Sequence, residues 1–282
     1  MTDPVVSQRE PGVYRDVPDT EYHADQDSLS STGARTIVFG SPAQFRYEQD
    51  HGGVRKTEYD EGHAAHLYVL GTGAELKVFD EFKSWQSDKA KAANAAARAA
   101  GKVPLLRKQD NTARAMAKVC LEHELAGALL AEGEAELSAW WIDEETGARL
   151  RLRTDWLTII NGRLVVVDYK TSKGAGKAAF AKSVGEYGYY CQQPFYVAGF
   201  EALDLDDDPD FIFISQCKTP PYEVTVARID ADDVARGRDL NRHGIRTWAE
   251  CRASGRWPDG SDRIHPVSVP TYIRYRDLEI LS

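Results

Sequence analysis

The sequence is poor in the features that announce several functional classes. It holds four cysteines, Cys120, Cys191, Cys217 and Cys251, and none of them falls in a C-x-x-C spacing. That argues against a zinc ribbon or a disulfide framework and predicts reduced core residues. No apolar run approaches the ~20 residues a membrane span needs, and the leading MTDPVVSQRE has neither the basic nor the apolar region of a secretory signal. A cytoplasmic protein with no membrane partner is the expectation. An excess of positive charge is also missing: the formal net charge is -9. This excludes a general nucleic-acid coat protein, because phosphate binding is mainly electrostatic and requires basic surface. Finally, there is no solenoid-length repeat and no Pro/Gly/Ser linker, so residues 1–282 are expected to form a single domain.

The average charge hides a local bias. Between Lys83 and Lys118 there are nine basic residues against two acidic ones, Asp88 and Asp110, whereas EALDLDDDPD at 201–210 is strongly acidic. The stretch SWQSDKAKAANAAARAA is helix-prone, but its side chains are too small to anchor a core. Residues from about 83 to 131 are therefore expected to form a basic helical arm, with a plain solvated face as the alternative reading. Upstream, SLSSTGARTIVFGSPAQF places Ser30 or Ser31 to cap a short helix that stops before Gly40 and Pro42. EGHAAHLYVLGTG predicts a second helix, with His66, Leu67 and Leu70 near one face.

Downstream the periodicity changes. ELSAWWID, ARLRLRTDWLTII and RLVVVDYKT predict three successive strands. A helix follows at about 180–203, then strands DFIFISQCK and YEVTVARI, then an amphipathic helix in DADDVARGRDLNRHGIRTWAECRAS. The sum is a mixed α/β domain on a central sheet, with a C-terminal extension at about 218–282.

The chemistry concentrates at one hairpin. Asn161-Gly162 between two apolar runs is a strong turn signal, because a type I′ turn requires positive φ at both central residues. A two-residue turn there sets Ile159 opposite Leu164, Leu157 opposite Val166, Asp155 opposite Asp168 and Arg153 opposite Lys170. Alternation with period two puts all eight on one face, apolar near the turn and charged at the far end. Facing carboxylates at about 4.5–5.5 Å between Cβ atoms repel each other and call for a cation. Oxygen-only ligation suits Mg²⁺, or Mn²⁺ as the other candidate. Lys170 would orient or deprotonate a water, or steady developing phosphate charge, as metal-assisted phosphodiester hydrolysis requires. A salt bridge from Lys170 or Arg153 to the two acids would satisfy the same electrostatics without metal.

These residues resemble the signature of the PD-(D/E)XK nucleases, with Asp155 followed by Asp168-Tyr169-Lys170. GHAAHLYVL at 62–70 resembles the G-x-x-x-H motif of the RecB-type branch, and YGYYCQQPFYVAGFEAL at 187–203 resembles its Q-x-x-x-Y motif. YHADQDSLSSTGA, SPAQFR and AELSAWWIDEETG narrow the likeness to the RecE, or exonuclease VIII, nuclease domain and its phage-encoded relatives, over about residues 14–217.

The resemblance implies a restriction-endonuclease-like α/β fold, a central mixed sheet flanked by helices. It implies metal held by Asp155, Asp168 and the backbone carbonyl of Tyr169, with Lys170 serving the nucleophile and His66 as a further ligand or phosphate contact. Glu136 is a candidate acid, with neighbouring Glu134 as its competitor. Gln192 and Tyr196, one helical turn apart, would bind substrate backbone or support the metal ligands, and Arg153 would contact substrate. Taken alone, His66 also reads as a core histidine, Gln192 and Tyr196 as packing, and Glu136 as an edge-strand residue.

The implied activity is Mg²⁺-dependent exonucleolytic hydrolysis from ends of double-stranded DNA, 5′ to 3′, in phage or prophage recombination inside the bacterial host cell. A RecT-like single-strand annealing protein would be the partner and a ring-shaped homo-oligomer the assembly. The basic arm would hold phosphates, and Trp85 and Trp140 or Trp141 would stack on DNA ends or pack in the core. Alternatives are a RecB-type nuclease of other polarity, an endonuclease, or a non-catalytic DNA-binding subunit of the same fold. The cysteine spacing does not fit an iron-sulfur cluster.

Overall fold

The structure, a computed structural model, describes residues 9–52, 60–206, 208–261 and 264–282. Its central sheet has the order β11 (Val224–Ala227), β10 (Asp210–Cys217), β9 (Arg163–Ser172), β8 (Trp156–Ile160), β5 (Glu134–Ala135). β9 and β10 run parallel and the other pairs antiparallel, so the sheet is mixed. The parallel pair needs a crossover, supplied by helices α8 (Gly176–Tyr187) and α9 (Tyr189–Ala202). The single helix expected at 180–203 is thus two, divided at Gly188, which adopts a left-handed conformation with φ 65° and caps the first.

β9 is buried on both faces. Val166 packs toward Phe180, Phe195, Phe200, Ile245 and Trp248, contributed by α8, α9 and α10 (Ala231–Ser254). Val165, Val167 and Tyr169 pack toward Ala64, Ala65, Leu105, Met116 and Cys120. Those come from α4 (Asp60–Leu70), α6 (Arg107–Glu122) and the strand pair β3 (Leu76–Phe79) and β4 (Val103–Leu106). α7 (Glu124–Leu130) adds Leu129 and Leu130. Residues 103–130 are therefore built into the core, and of the expected arm α5 (Asp88–Ala99) buries only two small side chains, Ala90 and Ala97. Six of its nine basic residues are in ion pairs: Lys91 with Asp88, Arg98 with Asp60, Lys102 with Glu75, Arg107 with Asp80 and Asp110, Arg114 with Asp110, Lys118 with Glu122. In the C-terminal region β11 extends the sheet and α10 covers it, while α11 (Thr271–Leu281) carries exposed Tyr272, Tyr275 and Leu278.

A second sheet has the order β1 (Gly12–Tyr14), β6 (Ser138–Ile142), β7 (Arg149–Arg153), β2 (Leu29–Ser30). Here the expected strand ARLRLRTDWLTII is broken into β7 and β8, and ELSAWWID, which holds β6, is separated by Glu136 and Leu137 from β5 in the central sheet. The antiparallel register nevertheless continues through both breaks: Ala135 pairs with Trp156 and Ser138 with Arg153. Between them the Glu136 N–H donates to the Asp155 carbonyl (3.2 Å) and the Thr154 N–H to the Leu137 carbonyl (2.9 Å). Glu136 has φ 51°, a left-handed conformation unusual for a residue with a Cβ, and both strands turn at this level. Trp140 and Trp141 are buried, so they belong to the core.

The N-terminal segment straps this second sheet. α1 (Asp19–Ala24) brings in buried Tyr22; Asp25 accepts from Trp140 Nε1 (2.7 Å) and Ser28 Oγ (2.6 Å). α2 (Ser31–Phe39) is capped by Ser30 and stops at Gly40, and Ser41 caps α3 (Pro42–His51) with Pro42 in its first turn. All four cysteines are buried and free.

Candidate active site

The hairpin has the register that the Asn161-Gly162 turn dictates: Leu157 pairs with Val166 and Ile159 with Leu164. Its tip is not an apolar face in the core, since Ile159 is 70% exposed. The other end is where the acids meet. Asp155 lies at the break before β8, and its Oδ2 accepts the Tyr169 backbone N–H at 2.8 Å, replacing a ladder bond by a side-chain bond. Asp168 is 1% exposed. Its Oδ1 accepts from Gln192 Nε2 (2.5 Å) and its Oδ2 is in an ion pair with Lys170. Tyr169 points to the opposite face, where its hydroxyl donates to Gln216 Oε1 (2.6 Å), and Gln216 Nε2 donates to the carbonyls of Met116 and Tyr222. A buried amide thereby fixes the segment between the two charged residues.

Gln192 and Tyr196 are both buried, on one face of α9. Gln192 Nε2 lies 3.4 Å from the Tyr196 hydroxyl, which donates to the Arg153 carbonyl at 2.7 Å. The pair thus links Asp168 to the backbone at the strand break.

His66 reaches the site from α4, its Nε2 3.3 Å from Asp155 Oδ1. Gly62, one turn earlier, explains how the helix comes so close: a methyl group there would sit 3.1 Å from Thr171 Oγ1 at the end of β9. Between the two competing glutamates the geometry is decisive. Glu134 is exposed and pairs with Arg15 (2.7 Å), whereas Glu136 is close enough to His66 and Asp155 for their charges to act on it. The expected pairing of Arg153 with Lys170 is not found, because the break at residues 154–155 sends Arg153 into the second sheet opposite Ser138. Its guanidinium contacts Asp19 Oδ1 (2.5 Å), the Val17 carbonyl (2.7 Å) and Ser138 Oγ (2.9 Å), and lies over the Tyr22 ring. Its carbonyl takes the Tyr196 hydroxyl, and its charge is still close enough to act on Glu136.

Burial raises the Asp168 carboxyl, as does the charge of Asp155, against the opposing effects of Lys170 and Gln192. Burial also works against ionisation of Asp155, but His66, Lys170 and the Tyr169 N–H outweigh it and hold this carboxyl below its ordinary value. His66 and Lys170 are both raised: burial alone would lower them, and the acids overcome it. Glu136 is raised by burial first and by Asp19 next. Two neighbouring carboxyls displaced in opposite directions are a common mark of a reactive centre.

A family model described as a PDDEXK-like domain of unknown function (DUF3799) matches residues 46–268. The chain belongs to this family. No curated protein matches the sequence. Among solved structures it is similar to a crystal structure from Eubacterium rectale described as a "putative exonuclease", with a TM-score of 0.60 and 12% identity over 94% of this chain and 98% of that one. This likeness shows the shared fold, a mixed sheet flanked by helices.

PD-(D/E)XK nucleases are generally dependent on a divalent metal, and the residues present fit one. Burial and the charge of Asp155 raise the carboxyl of Asp168 even though the Lys170 ammonium is in contact with its Oδ2; two neighbouring acids in that state favour an added cation. No three His, Cys, Asp or Glu side chains among the described residues are grouped tightly enough to cage an ion. Mg²⁺ is commonly held by one or two carboxylates and takes its other ligands from water and phosphate oxygens, so a pair of acids suits it without a closed protein cage. No helix among the described residues is long and apolar enough to cross a membrane.

Two residues of the site escaped the sequence reading. Gln216 had a signal, as the lone amide in the apolar run FIFISQC. Tyr189, whose ring centroid lies 5.1 Å from Lys170 Nζ, had none beyond its place beside the Q-x-x-x-Y motif.

Proposed function

We propose that the protein is a metal-dependent DNA exonuclease that hydrolyses phosphodiester bonds from the ends of double-stranded DNA. The observation that carries this reading is the meeting of Asp155, buried Asp168 and Lys170 at one strand end, with the charges of the two acids acting on each other. Asp155 and Asp168, with the Tyr169 carbonyl, would hold the ion, Mg²⁺ being the first choice and Mn²⁺ the second. When bound, it supplies Lewis-acid stabilisation of the charge that develops on phosphorus-bound oxygens. Lys170, as an ammonium, donates hydrogen bonds to the attacking water or to the scissile phosphate and opposes the same charge. His66, fixed by Asp155, would be a further ligand or a phosphate contact, and Glu136 completes the acidic rim. Gln192 and Tyr196 hold Asp168 in orientation, the support that outer-shell partners give to metal ligands.

The finer parts of the reading rest on the resemblance to the RecE-like nucleases: 5′-to-3′ polarity, a role in phage or prophage recombination, a RecT-like annealing partner, a ring-shaped oligomer and a cytoplasmic site of action. The description of the E. rectale structure as an exonuclease supports action from ends. Linear duplex labelled at either 5′ or 3′ end, incubated with Mg²⁺, tests it. Wild type should release nucleotides from linear but not from closed circular DNA, EDTA should stop release, and Asp168→Ala and Lys170→Ala should abolish it. Cleavage of circles would make it an endonuclease. Binding without hydrolysis, or full activity in both variants, would overturn the catalytic assignment.

A further inference from the structure

From the aromatic residues around Lys170, we infer that the Tyr187–Tyr189 pair is a stacking platform for a nucleobase of the strand being hydrolysed. The inference rests on the nuclease reading and names the part of the substrate that the charged residues leave unrecognised.

α8 ends at Tyr187 and α9 begins at Tyr189, with left-handed Gly188 between them. That turn sets the two rings side by side, centroids 5.7 Å apart at an interplanar angle of 28°. Any side chain at Gly188 would strike Phe39, its Cβ 2.6 Å from Phe39 Cε2. From α2, Arg35 Nη1 donates to the Tyr187 carbonyl (3.0 Å) and Nη2 to Thr32 Oγ1 (3.0 Å), so the junction is clamped. Tyr189 is anchored inward by Phe213 (centroids 6.1 Å, 20°) and carries the Lys170 ammonium 5.1 Å from its ring centroid. Tyr187, by contrast, is 54% exposed.

The result is a pair of aromatic rings that begins beside the Lys170 ammonium and ends with the exposed ring of Tyr187. Core packing accounts for Tyr189 but not for Tyr187. Proteins that handle single strands place successive bases on such rings, because every base has a π-face and none need be distinguished. An end-acting nuclease needs contacts that tolerate any sequence, and a stacked base adjoining the reacting phosphate meets that need where hydrogen bonds to base edges do not.

Fluorescence anisotropy in EDTA, with a labelled oligothymidylate and an abasic deoxyribose-phosphate oligomer of equal length, tests the platform without hydrolysis. Wild type should prefer the base-bearing oligomer by about tenfold. Tyr187→Ala should lose that preference and bind the abasic oligomer as wild type does, and Tyr187→Phe should retain most of it. Tyr47→Ala, removing another exposed tyrosine that lies on α3, should bind both oligomers as wild type does. Equal affinity of wild type for the two oligomers, an unchanged preference in Tyr187→Ala, or the same loss in Tyr47→Ala would overturn the inference. Because metal is absent, failure to see hydrolysis in the Mg²⁺ assay counts against the nuclease reading and leaves this result standing by itself.

Discussion

Replacing Gln192 by leucine separates two roles for the Q-x-x-x-Y pair, contact with substrate and support of Asp168. The substitution preserves most of the side-chain volume, so little cavity opens. It removes the amide that donates to buried Asp168 Oδ1, a hydrogen bond to a charged group of about 1.5–3 kcal/mol. Gln192 Oε1 has no partner, and its loss relieves a buried unpaired acceptor worth about 1 kcal/mol. The net destabilisation is then about 0.5–2 kcal/mol. For a chain of this size each kcal/mol moves Tm by about 2–4 °C, giving a fall of about 1–8 °C. Loss of such a supporting contact at a metal ligand costs about 10–100-fold in activity. Thermal melting in EDTA reads the first effect and single-turnover hydrolysis of end-labelled duplex at saturating enzyme reads the second. Unchanged Tm together with an unchanged single-turnover rate and weakened DNA binding would refute the supporting role and return Gln192 to substrate contact.

Glu136→Gln should lower hydrolysis while Glu134→Gln leaves it at the wild-type rate, because Glu134 only forms an exposed ion pair with Arg15 of the sort worth under about 1 kcal/mol; equal effects in the rate assay would contradict the geometry. Addition of Mg²⁺ should raise the Tm of wild type, by about 1.4 kcal/mol of stabilisation at tenfold excess over Kd, and should not raise that of Asp155→Asn; melting curves with and without the ion decide this. Acid stability should depend on buried Asp110, whose carboxyl is lowered because Tyr68, Arg114 and Arg107 outweigh its burial. A depressed folded-state value means that its contribution is fully present above the unfolded value of about 4 and is lost as pH falls through the folded value. Denaturant titrations of Asp110→Asn should therefore show a flatter decline below about pH 4 than wild type, and parallel declines would exclude this linkage.

The polar hairpin end was legible because the turn chemistry is local. Asn161-Gly162 sets the register through positive φ at two adjacent positions, and the register carries as far as strand pairing is continuous. It failed at Arg153, where continuity ended, since nothing in ELSAWWID or RLRTDW marks a bend. The bend depends on Glu136 adopting a left-handed backbone and on Asp155 exchanging a ladder position for a side-chain bond to Tyr169. Both are choices imposed by packing between two sheets. The split of α8 from α9 is by contrast local, since left-handed Gly188 caps the first helix in the place where glycine commonly does so.

By itself the sequence determined the periodicities, the caps at Ser30 and Ser41, the hairpin register and the chemical types that the site would contain, because each follows from neighbours within a few residues. Only tertiary structure decided which of those groups meet. It took Glu136 over Glu134, turned Arg153 away, drew His66 in across Gly62 and pulled most of the basic stretch into ion pairs. Such outcomes are set by contacts between residues far apart in the chain, where small differences in burial and pairing select the arrangement.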